Sequence, residues 1–178
     1  MTGTERTKEP IAIRRATLDD IDRLAELCSQ LGYPLSAPYL LPRLVEIGHN
    51  EANDVYVAVE PAGRVIGWLQ VYVRQLLMVE RHAEMGGLVV DRDYRGRGIG
   101  RLLVDWAESW ARDHGCRSLY LRSNVQREEA HRFYERLGYQ LVKVQHAYWK
   151  SVVGQEGATG NWVSEPEAGA TRGTGEQL

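Results

Sequence analysis

The chain has 178 residues, 43% of them hydrophobic and 26% charged, and a formal net charge of −2. This length and balance predict one globular domain with its own core. A surface that coats nucleic acid would show a basic excess, and a membrane span needs roughly 20 consecutive apolar residues. We find neither pattern and expect no nucleic-acid partner and no membrane partner. Residues 1–10 are polar, without the apolar core of a signal peptide, so a flexible N-terminus and a cytoplasmic location are expected.

The two cysteines, Cys28 and Cys116, are far apart in the sequence, and no Cys/His cluster surrounds either one. This spacing predicts neither a disulfide framework nor a metal site. Cys28 falls on the apolar stripe of a predicted helix, which favours a core thiol over a nucleophile. Cys116 follows the glycine that ends a later helix and is expected to pack at the start of a strand.

The first half of the chain alternates between strand and helix patterns. Thr17 with Asp20 resembles a helix start, and apolar residues at helical spacing follow until Gly32. Two β-rich runs flank Pro61-Ala62-Gly63-Arg64 and predict a hairpin. We place strands at 11–14, 55–60, 65–73 and 83–90, and helices at 18–31 and 37–47.

The second half contains the strongest helix pattern, an apolar stripe from Ile99 to Ala111 that Gly115 closes. A strand at 118–122, a helix at 130–137 and strands at 139–143 and 145–150 follow. The order of strand, helix and strand predicts that the strands at 83–90 and 118–122 pair in parallel, with the helix as the crossover. The predicted fold class is therefore α/β with a mixed sheet, in one domain over residues 11–150. Residues 151–178 are rich in Gly and Glu and predict a disordered tail.

Glycines and arginines coincide where a strand runs into the strongest helix. Gly96, Gly98 and Gly100 alternate there, and Arg92, Arg95, Arg97 and Arg101 surround them. A cation at a helix N-terminus is unfavourable by about 0.3–1 kcal/mol, so this crowding indicates a bound anion such as a pyrophosphate. The alternative is a solvated arginine-rich turn. The Walker pattern does not match, because no Gly-Lys-Ser/Thr follows. The dinucleotide-binding pattern does not match either, because it requires a glycine at the position of Arg101.

The run Arg95-Gly96-Arg97-Gly98-Ile99-Gly100 resembles the Arg/Gln-x-x-Gly-x-Gly/Ala signature of GNAT N-acetyltransferases. The strand residues 84–90 before it and the run from Ala130 to Tyr139 after it resemble the flanking motifs of that family. The resemblance implies a GNAT-type single domain whose parallel strands splay apart at a cofactor cleft. It also implies an acyltransferase that uses acetyl-CoA as co-substrate and needs no metal.

The resemblance assigns residues to the cofactor. Leu88, Val89 and Val90 would pair with the pantetheine arm, and Asn124 would hydrogen-bond the arm from the second strand, although a helix N-cap is the alternative role for Asn124. The predicted pyrophosphate-binding residues are Arg95, Gly96, Arg97, Gly98, Ile99, Gly100 and Arg101.

The resemblance also assigns catalytic roles. Glu84 would accept the proton of the attacking amine, and strict alternation places it on the same face as Gly86, Leu88 and Val90 unless a bulge interrupts the strand. Its alternative role is an ion-pair partner of a nearby arginine. A backbone N–H of Leu88 or Val89 would stabilise the oxyanion. Tyr134 would protonate the leaving thiolate, and its alternative role is packing alone.

The acceptor is expected to be a small-molecule primary amine, such as an aminoglycoside, a polyamine or an amino acid. A protein amine and a non-catalytic acyl-CoA-binding regulator are the alternatives, and the acyl chain is left open. Members of the family are often homodimers, and no sequence feature decides this here. His82 is interpreted as an exposed residue of a strand connection, and a place at the border of the acceptor pocket is its alternative. The predicted acceptor-site residues are Tyr33, Pro34, Ser36, Tyr39, Arg43, Trp68, Gln70 and Tyr72.

Overall fold

The structure is a computed structural model that describes residues 10–152. It contains five strands and four α-helices in these residues, with short 3₁₀ turns before α1 and α3. In chain order they are β1 Ala12–Arg15, α1 Ile21–Leu31, α2 Ala37–Gly48, β2 Asn53–Val59, β3 Val65–Leu76, β4 Val79–Val90, α3 Ile99–Asp113, β5 Leu119–Leu121 and α4 Glu128–Arg136.

The strands form one mixed sheet in the order β1-β2-β3-β4-β5. The first four strands pair antiparallel, and β5 pairs parallel with β4 after the crossover through α3. The large hydrophobic cluster lies between the sheet and α3, around Leu69, Leu103 and Trp110. A smaller cluster around Leu27 and Val57 packs α1 and α2 on the opposite face. The predicted α/β fold with a mixed sheet and a parallel crossover pair is confirmed.

Local chemistry explains the helix ends that the sequence predicted. Asp20 accepts hydrogen bonds from the backbone N–H of Thr17 at 2.8 Å and from the Arg14 guanidinium, which fixes the start of α1 against β1. Gly32 ends α1 with φ of 100°, in the left-handed region that glycine adopts without steric cost. The first contact links α1 to the sheet, and the second feature ends the helix.

Strands β3 and β4 are longer than the apolar pattern indicated. They run to Leu76 and from Val79, joined by an exposed turn at Leu77 and Met78. His82 therefore lies within β4 rather than in a connection, and its side chain is buried, so its expected exposure is wrong. The antiparallel pairing with Arg74 extends the ladder through this polar stretch, which a hydrophobicity pattern cannot detect.

The two strands predicted at 139–143 and 145–150 are wrong, because the structure assigns no strand to residues 139–152. Their apolar side chains favour extended structure, but a strand also needs a hydrogen-bonded neighbour. Leu141, Val142, Val144 and Tyr148 are exposed. The chain divides into two units after Gln140, and residues 141–152 are the described part of the second.

Cys28 and Cys116 are buried and free, as expected for core thiols, and burial raises the pKa of Cys28 to about 11. Among residues 10–152, no helix has both the length and the apolar character required to cross a membrane. The predicted flexible N-terminus and disordered tail lie outside the described residues, apart from Pro10, Ser151 and Val152.

Candidate active site

Strands β4 and β5 pair over a short stretch and then separate. Ala83 pairs with Leu119, Glu84 with Tyr120 and Met85 with Leu121. β4 continues to Val90, and no further β4–β5 pair is present in the described part of the chain. A register shift accompanies the separation, since Val71 faces Met85 while Gln70 faces Gly87, which leaves Gly86 as a bulge in β4. β5 ends at Leu121, so β4 has an open edge beyond Met85, which forms one side of the cleft that the family resemblance implies.

The backbone of β4 presents hydrogen-bonding groups to this cleft. The N–H of Asp91 donates to Ile66 of β3 at 2.8 Å. Because successive strand residues point their amides in opposite directions, the N–H groups of Leu88 and Val90 face away from β3, while that of Val89 faces it. The carbonyl of Val90 accepts a hydrogen bond from Arg95 Nε at 3.1 Å, as this orientation requires. Leu88 thus presents an amide donor to the open side of β4.

The N-terminus of α3 lies directly after β4 and has free amide groups. Gly98 is its N-cap with φ of 83°, and Gly96 has φ of 73°, so both glycines adopt left-handed conformations that other residues rarely take. No side chain caps this end. The first amides of a helix have no intrahelical acceptor and carry the positive end of the dipole. This end of α3 is therefore suited to an anion.

Exposed arginines surround the helix start. Arg97 donates to the carbonyl of Asp93 at 2.7 Å and lies over the ring of Tyr94, and Arg101 forms a long ion pair with Asp105 at 3.7 Å. Arg95 is exposed beside them. These contacts leave most of the guanidinium donors at the surface, since each arginine carries five N–H groups.

A buried ion pair fixes this loop to α1. Asp91 is 1% exposed and pairs with Arg23, which also donates to the carbonyl of Val65 at 2.8 Å. Asp91 Oδ1 accepts the backbone N–H of Asp93 at 3.0 Å. Burial would raise the pKa of Asp91, but these hydrogen bonds and the guanidinium charges lower it. The sequence analysis missed this pair, because the two residues belong to separate elements.

Gly100 serves packing rather than an open approach to a ligand. A Cβ atom at this position would lie 3.2 Å from Cζ of Phe133. Gly100 therefore lets α3 and α4 approach closely. Gly96 and Gly98 differ, because a Cβ atom at either position would have no neighbour within 4 Å, and they are required for their backbone angles. Glycine is therefore required at Gly96 and Gly98 for the backbone conformation and at Gly100 for close helix packing.

Glu84 is a buried carboxylate bound by two arginines. It is 1% exposed, and its oxygens accept hydrogen bonds from Arg74 Nη1 and Arg122 Nη2, each at 2.6 Å. Burial alone would raise the pKa of Glu84, but Arg74, Arg122 and the Tyr72 hydroxyl lower it. The ion-pair role left open by the sequence is therefore present, and the lowered pKa keeps the carboxylate ionised at neutral pH.

The bulge at Gly86 changes which residues share a face with Glu84. Glu84 faces Tyr72, Gly87 faces Gln70 and Val89 faces Trp68, so these side chains lie on the α1/α2 side of the sheet. Leu88 and Val90 lie on the α3 side. The expected alignment of Glu84 with Gly86, Leu88 and Val90 is wrong, because one extra residue reverses the alternation. Three predicted acceptor-site residues, Trp68, Gln70 and Tyr72, are thereby brought beside Glu84.

Glycines in β4 make room for these side chains. A Cβ atom at Gly87 would lie 2.6 Å from Cη2 of Trp68, and one at Gly86 would lie 3.0 Å from Cε1 of Tyr72. The indole Nε1 of Trp68 is buried and has no hydrogen-bond partner among the described residues. Gln70 donates to Asn53 at 3.1 Å. The face beside Glu84 is thus both aromatic and polar.

The early helices contribute less definite features. Arg43 stacks on the ring of Tyr39 at 3.5 Å and donates to the Tyr39 carbonyl, so the two form a local pair within α2. Ser36 is the N-cap of that helix, and Tyr33 and Pro34 are exposed in the loop before it.

Tyr134 lies on the α3 side of the sheet. It is half-buried, packs against the same cluster as Leu88 and Val90, and contacts the ring of Tyr139 at 5.9 Å between centroids. Burial raises the pKa of Tyr134, partly offset by the charge of Arg127. Its hydroxyl is therefore protonated at neutral pH and can donate a proton.

Asn124 is not a helix N-cap, because Arg127 occupies that position in α4. Its side chain accepts the backbone N–H of Gln126 at 3.1 Å in a local turn, and its carbonyl accepts from His131 at 2.9 Å. Arg127 in turn donates to the carbonyl of Leu31 at the end of α1. The loop after β5 and the end of α1 are thus joined across the sheet.

The family model described as acetyltransferase (GNAT) family matches residues 18–139. The chain belongs to the GNAT acetyltransferase family. This membership confirms the resemblance stated from the glycine motif and the predicted enzyme class, an acyltransferase of the N-acetyltransferase type. The match covers the sheet from β2 onward, α3 and α4, which carry the features described above.

Two relatives and one solved structure resemble this GNAT chain. The aminoalkylphosphonate N-acetyltransferase of Salmonella typhimurium is 32% identical over 71% of this chain and 83% of its own length. An uncharacterised N-acetyltransferase of Methanocaldococcus jannaschii is 27% identical over 79% of this chain. The aligned part covers 65% of the length of that protein. A Bacillus halodurans structure described as a transcriptional regulator has a TM-score of 0.71 and 28% identity, over 79% of this chain and all of that one.

GNAT acetyltransferases use acetyl-CoA as co-substrate. In this member, the open edge of β4 and the uncapped start of α3 adjoin each other along the chain. In the described part of the chain, no group of three or more His, Cys, Asp or Glu side chains is arranged to hold a metal ion. Arg74, Arg122, Arg23 and Asp91 are the site residues that sequence reasoning missed. A period-two reading of β3 beyond Val73 would have placed Arg74 beside Tyr72.

Proposed function

We propose that this chain transfers the acetyl group of acetyl-CoA to the primary amine of a small molecule, by direct attack of the amine on the thioester. The observation that carries the proposal is the separation of β4 from β5 beside the uncapped N-terminus of α3. An extended, amide-bearing pantetheine arm satisfies the open strand edge, and a pyrophosphate suits the helix amides.

The cofactor-binding roles follow from these donors. Leu88 and Val90 would hydrogen-bond the arm through their outward amides, with Val89 between them holding β4 to β3. Residues 95–101 would bind the pyrophosphate through Gly98, Ile99 and the arginines around them. Asn124 would approach the arm from the loop after β5, because its amide nitrogen is not used in its turn with Gln126.

The chemical step forms a C–N bond and breaks a C–S bond. The amine lone pair attacks the thioester carbonyl carbon, and the N–H of Leu88 stabilises the resulting oxyanion. Before the attack, Glu84 takes one proton from the substrate ammonium, directly or through water, and later releases it to solvent. As the oxyanion collapses, the CoA thiolate leaves with a proton from Tyr134, and the second proton lost by the nitrogen restores the Tyr134 hydroxyl through water. Glu84 and Tyr134 lie on opposite faces of the sheet, which suits an acceptor on one side and a leaving group on the other.

Two measurements test this function. Calorimetric titration with CoA should give heat and raise the unfolding temperature, and millimolar CoA without either effect would contradict the cofactor site. The purified protein with acetyl-CoA should then release free thiol when an amine is added. The amine panel contains kanamycin, spermidine, glycine, 2-aminoethylphosphonate and a peptide with N-terminal alanine, and succinyl- and propionyl-CoA serve as alternative donors.

The panel also separates the second candidate, a non-catalytic acyl-CoA-binding regulator. The likeness to a structure described as a transcriptional regulator favours this alternative. CoA binding without thiol release above background for any amine would support the regulator and contradict the enzyme. Release with the peptide alone would point to a protein N-acetyltransferase and contradict the small-molecule acceptor.

A further inference from the structure

A polar cluster occupies the α1/α2 face of the sheet at the place where β4 and β5 still pair. Tyr72 faces Glu84 across β3 and β4, and Glu84 faces Tyr120 across β4 and β5. Arg74 and Arg122 follow two positions after Tyr72 and Tyr120, so alternation places both arginines on the same face. Their hydrogen bonds to Glu84 confirm this placement.

The charge of the cluster is unbalanced. One carboxylate, Glu84, pairs with two guanidinium groups, which gives the three side chains a formal charge of +1. Within residues 10–152, Glu84 is the sole carboxylate that forms an ion pair with either arginine. A cluster with this excess repels an acceptor that carries positive charge alone.

The arginines retain donors for a ligand. Arg74 uses Nη1 and Arg122 uses Nη2 for Glu84, and each guanidinium has five N–H groups. The Arg122 side chain is 61% exposed and that of Arg74 is 35% exposed, whereas the Glu84 side chain is 1% exposed. The anion-binding side of the cluster therefore faces solvent, and the fork of a guanidinium matches a carboxylate or phosphonate.

Resting on the proposed function, we infer that the acceptor is a zwitterionic amine, with an anionic group on a short spacer that binds Arg122 and Arg74 while its amine faces Glu84. In water at neutral pH an alkylamine is an ammonium ion. Binding exchanges the internal Arg122–Glu84 pair for two pairs with the ligand, ammonium to Glu84 and anion to Arg122. A carboxylate and a phosphonate share this chemistry, whereas polyamines and aminoglycosides lack the anion.

Matched pairs of amines test the inference through kcat/KM for thiol release from acetyl-CoA. One pair is 2-aminoethylphosphonate with ethanolamine, and the other is β-alanine with β-alaninamide. Spermidine and kanamycin are added as polycationic amines. We expect the anionic member of at least one pair to exceed its partner by about tenfold or more, as hydrogen bonds to charged groups imply. The stronger of the two anions identifies the group. Equal or better turnover of ethanolamine, spermidine or kanamycin would overturn the inference.

Variants locate the selectivity. We expect Arg122→Gln to lower kcat/KM for the preferred anionic amine about tenfold more than for its neutral partner, and Arg122→Lys to restore part of the preference. Arg117→Gln, at an exposed arginine just before β5, is the control and should leave the ratio unchanged. An unchanged ratio in Arg122→Gln with normal CoA binding would overturn the inference. Thiol release that favours neutral amines contradicts this inference alone, whereas no release with any amine contradicts the proposed function as well.

Discussion

Asp91, at the end of β4, forms an ion pair with Arg23 in the first turns of α1, and both side chains are shielded from solvent. The pair joins the loop before α3 to a helix on the opposite face of the sheet. Arg92 adds a second connection to α1, because its backbone N–H donates to Gln30 at 2.9 Å. The backbone that leads into the proposed pyrophosphate site is therefore fixed from outside the loop.

Replacing Asp91 should affect both stability and cofactor binding. We expect Asp91→Asn to lower the free energy of unfolding by about 3 kcal/mol, because the Arg23 charge loses its buried partner and keeps the exposed Glu26. The KM for acetyl-CoA should rise several-fold, since the loop loses its anchor. Denaturant unfolding and initial rates measure the two effects. Asp93→Asn, at the exposed neighbour, is the matched control, and equal behaviour of the two variants would contradict the anchoring role.

Gly87 should tolerate no side chain. A Cβ atom at this position would lie 2.6 Å from Cη2 of Trp68, so the half-buried indole or the strand would have to shift. We expect Gly87→Ala to reduce the free energy of unfolding by about 1–3 kcal/mol, as overpacking does. Gly48→Ala, in α2 with open space around it, should be neutral or stabilising by up to about 1 kcal/mol. Urea titrations of both variants test this, and a neutral Gly87→Ala would contradict the close contact.

Acid should unfold the protein partly through Glu84. Burial would raise its pKa, but the arginines hold it below the ordinary value, as they do for Asp20 and Asp91. A carboxyl with a lowered folded pKa contributes its full stabilisation above the unfolded pKa of about 4 and loses it as the pH falls through the folded value. We therefore expect stability to be level above about pH 5 and to fall below about pH 4.

A Glu84 variant measures how much of the acid-induced loss of stability comes from this one carboxylate. Glu84→Gln should be less stable than the parent protein at neutral pH, and its stability should fall less steeply on acidification, since one titrating carboxylate is gone. Urea unfolding at several pH values between about 7 and about 3 gives both curves. Two curves that stay parallel throughout would show that Glu84 makes no contribution to the acid transition.

If Tyr134 is the proposed general acid, its hydroxyl should affect kcat but not the affinity for CoA. We expect Tyr134→Phe to lower kcat by about tenfold or more, with little change in CoA affinity, because the variant removes the hydroxyl and keeps the ring. Tyr139→Phe is the matched control, because this neighbouring hydroxyl donates to Glu108 at 3.1 Å instead. Thiol-release kinetics and CoA calorimetry measure both quantities. A Tyr134→Phe variant with unchanged kcat would remove the assignment.

The sequence predicted the helices and the first five strands because their signals are local. Apolar spacing, the Thr17–Asp20 helix start and the terminal glycines Gly32, Gly115 and Gly138 all act within a few residues. The same locality led to the proposed anion site, since a strand end, positive-φ glycines and a helix start are adjacent in the chain. The last two predicted strands failed because extended structure depends on a partner strand, which propensity does not supply.

The residues around Glu84 depended on the tertiary structure. The bulge at Gly86 moves the side chains of the later β4 residues to the opposite face of the sheet from the one that simple alternation predicts. No local sequence pattern predicts this bulge. Arg74 and Arg122 reach Glu84 from outside its own strand, and Gly100 meets Phe133 from another helix. The sequence by itself determined the family, the helices, the first five strands in outline and the helix start that suits an anion. The tertiary structure decided the face, the partners and the charge of the carboxylate, because these follow from the register between strands that are distant in the chain.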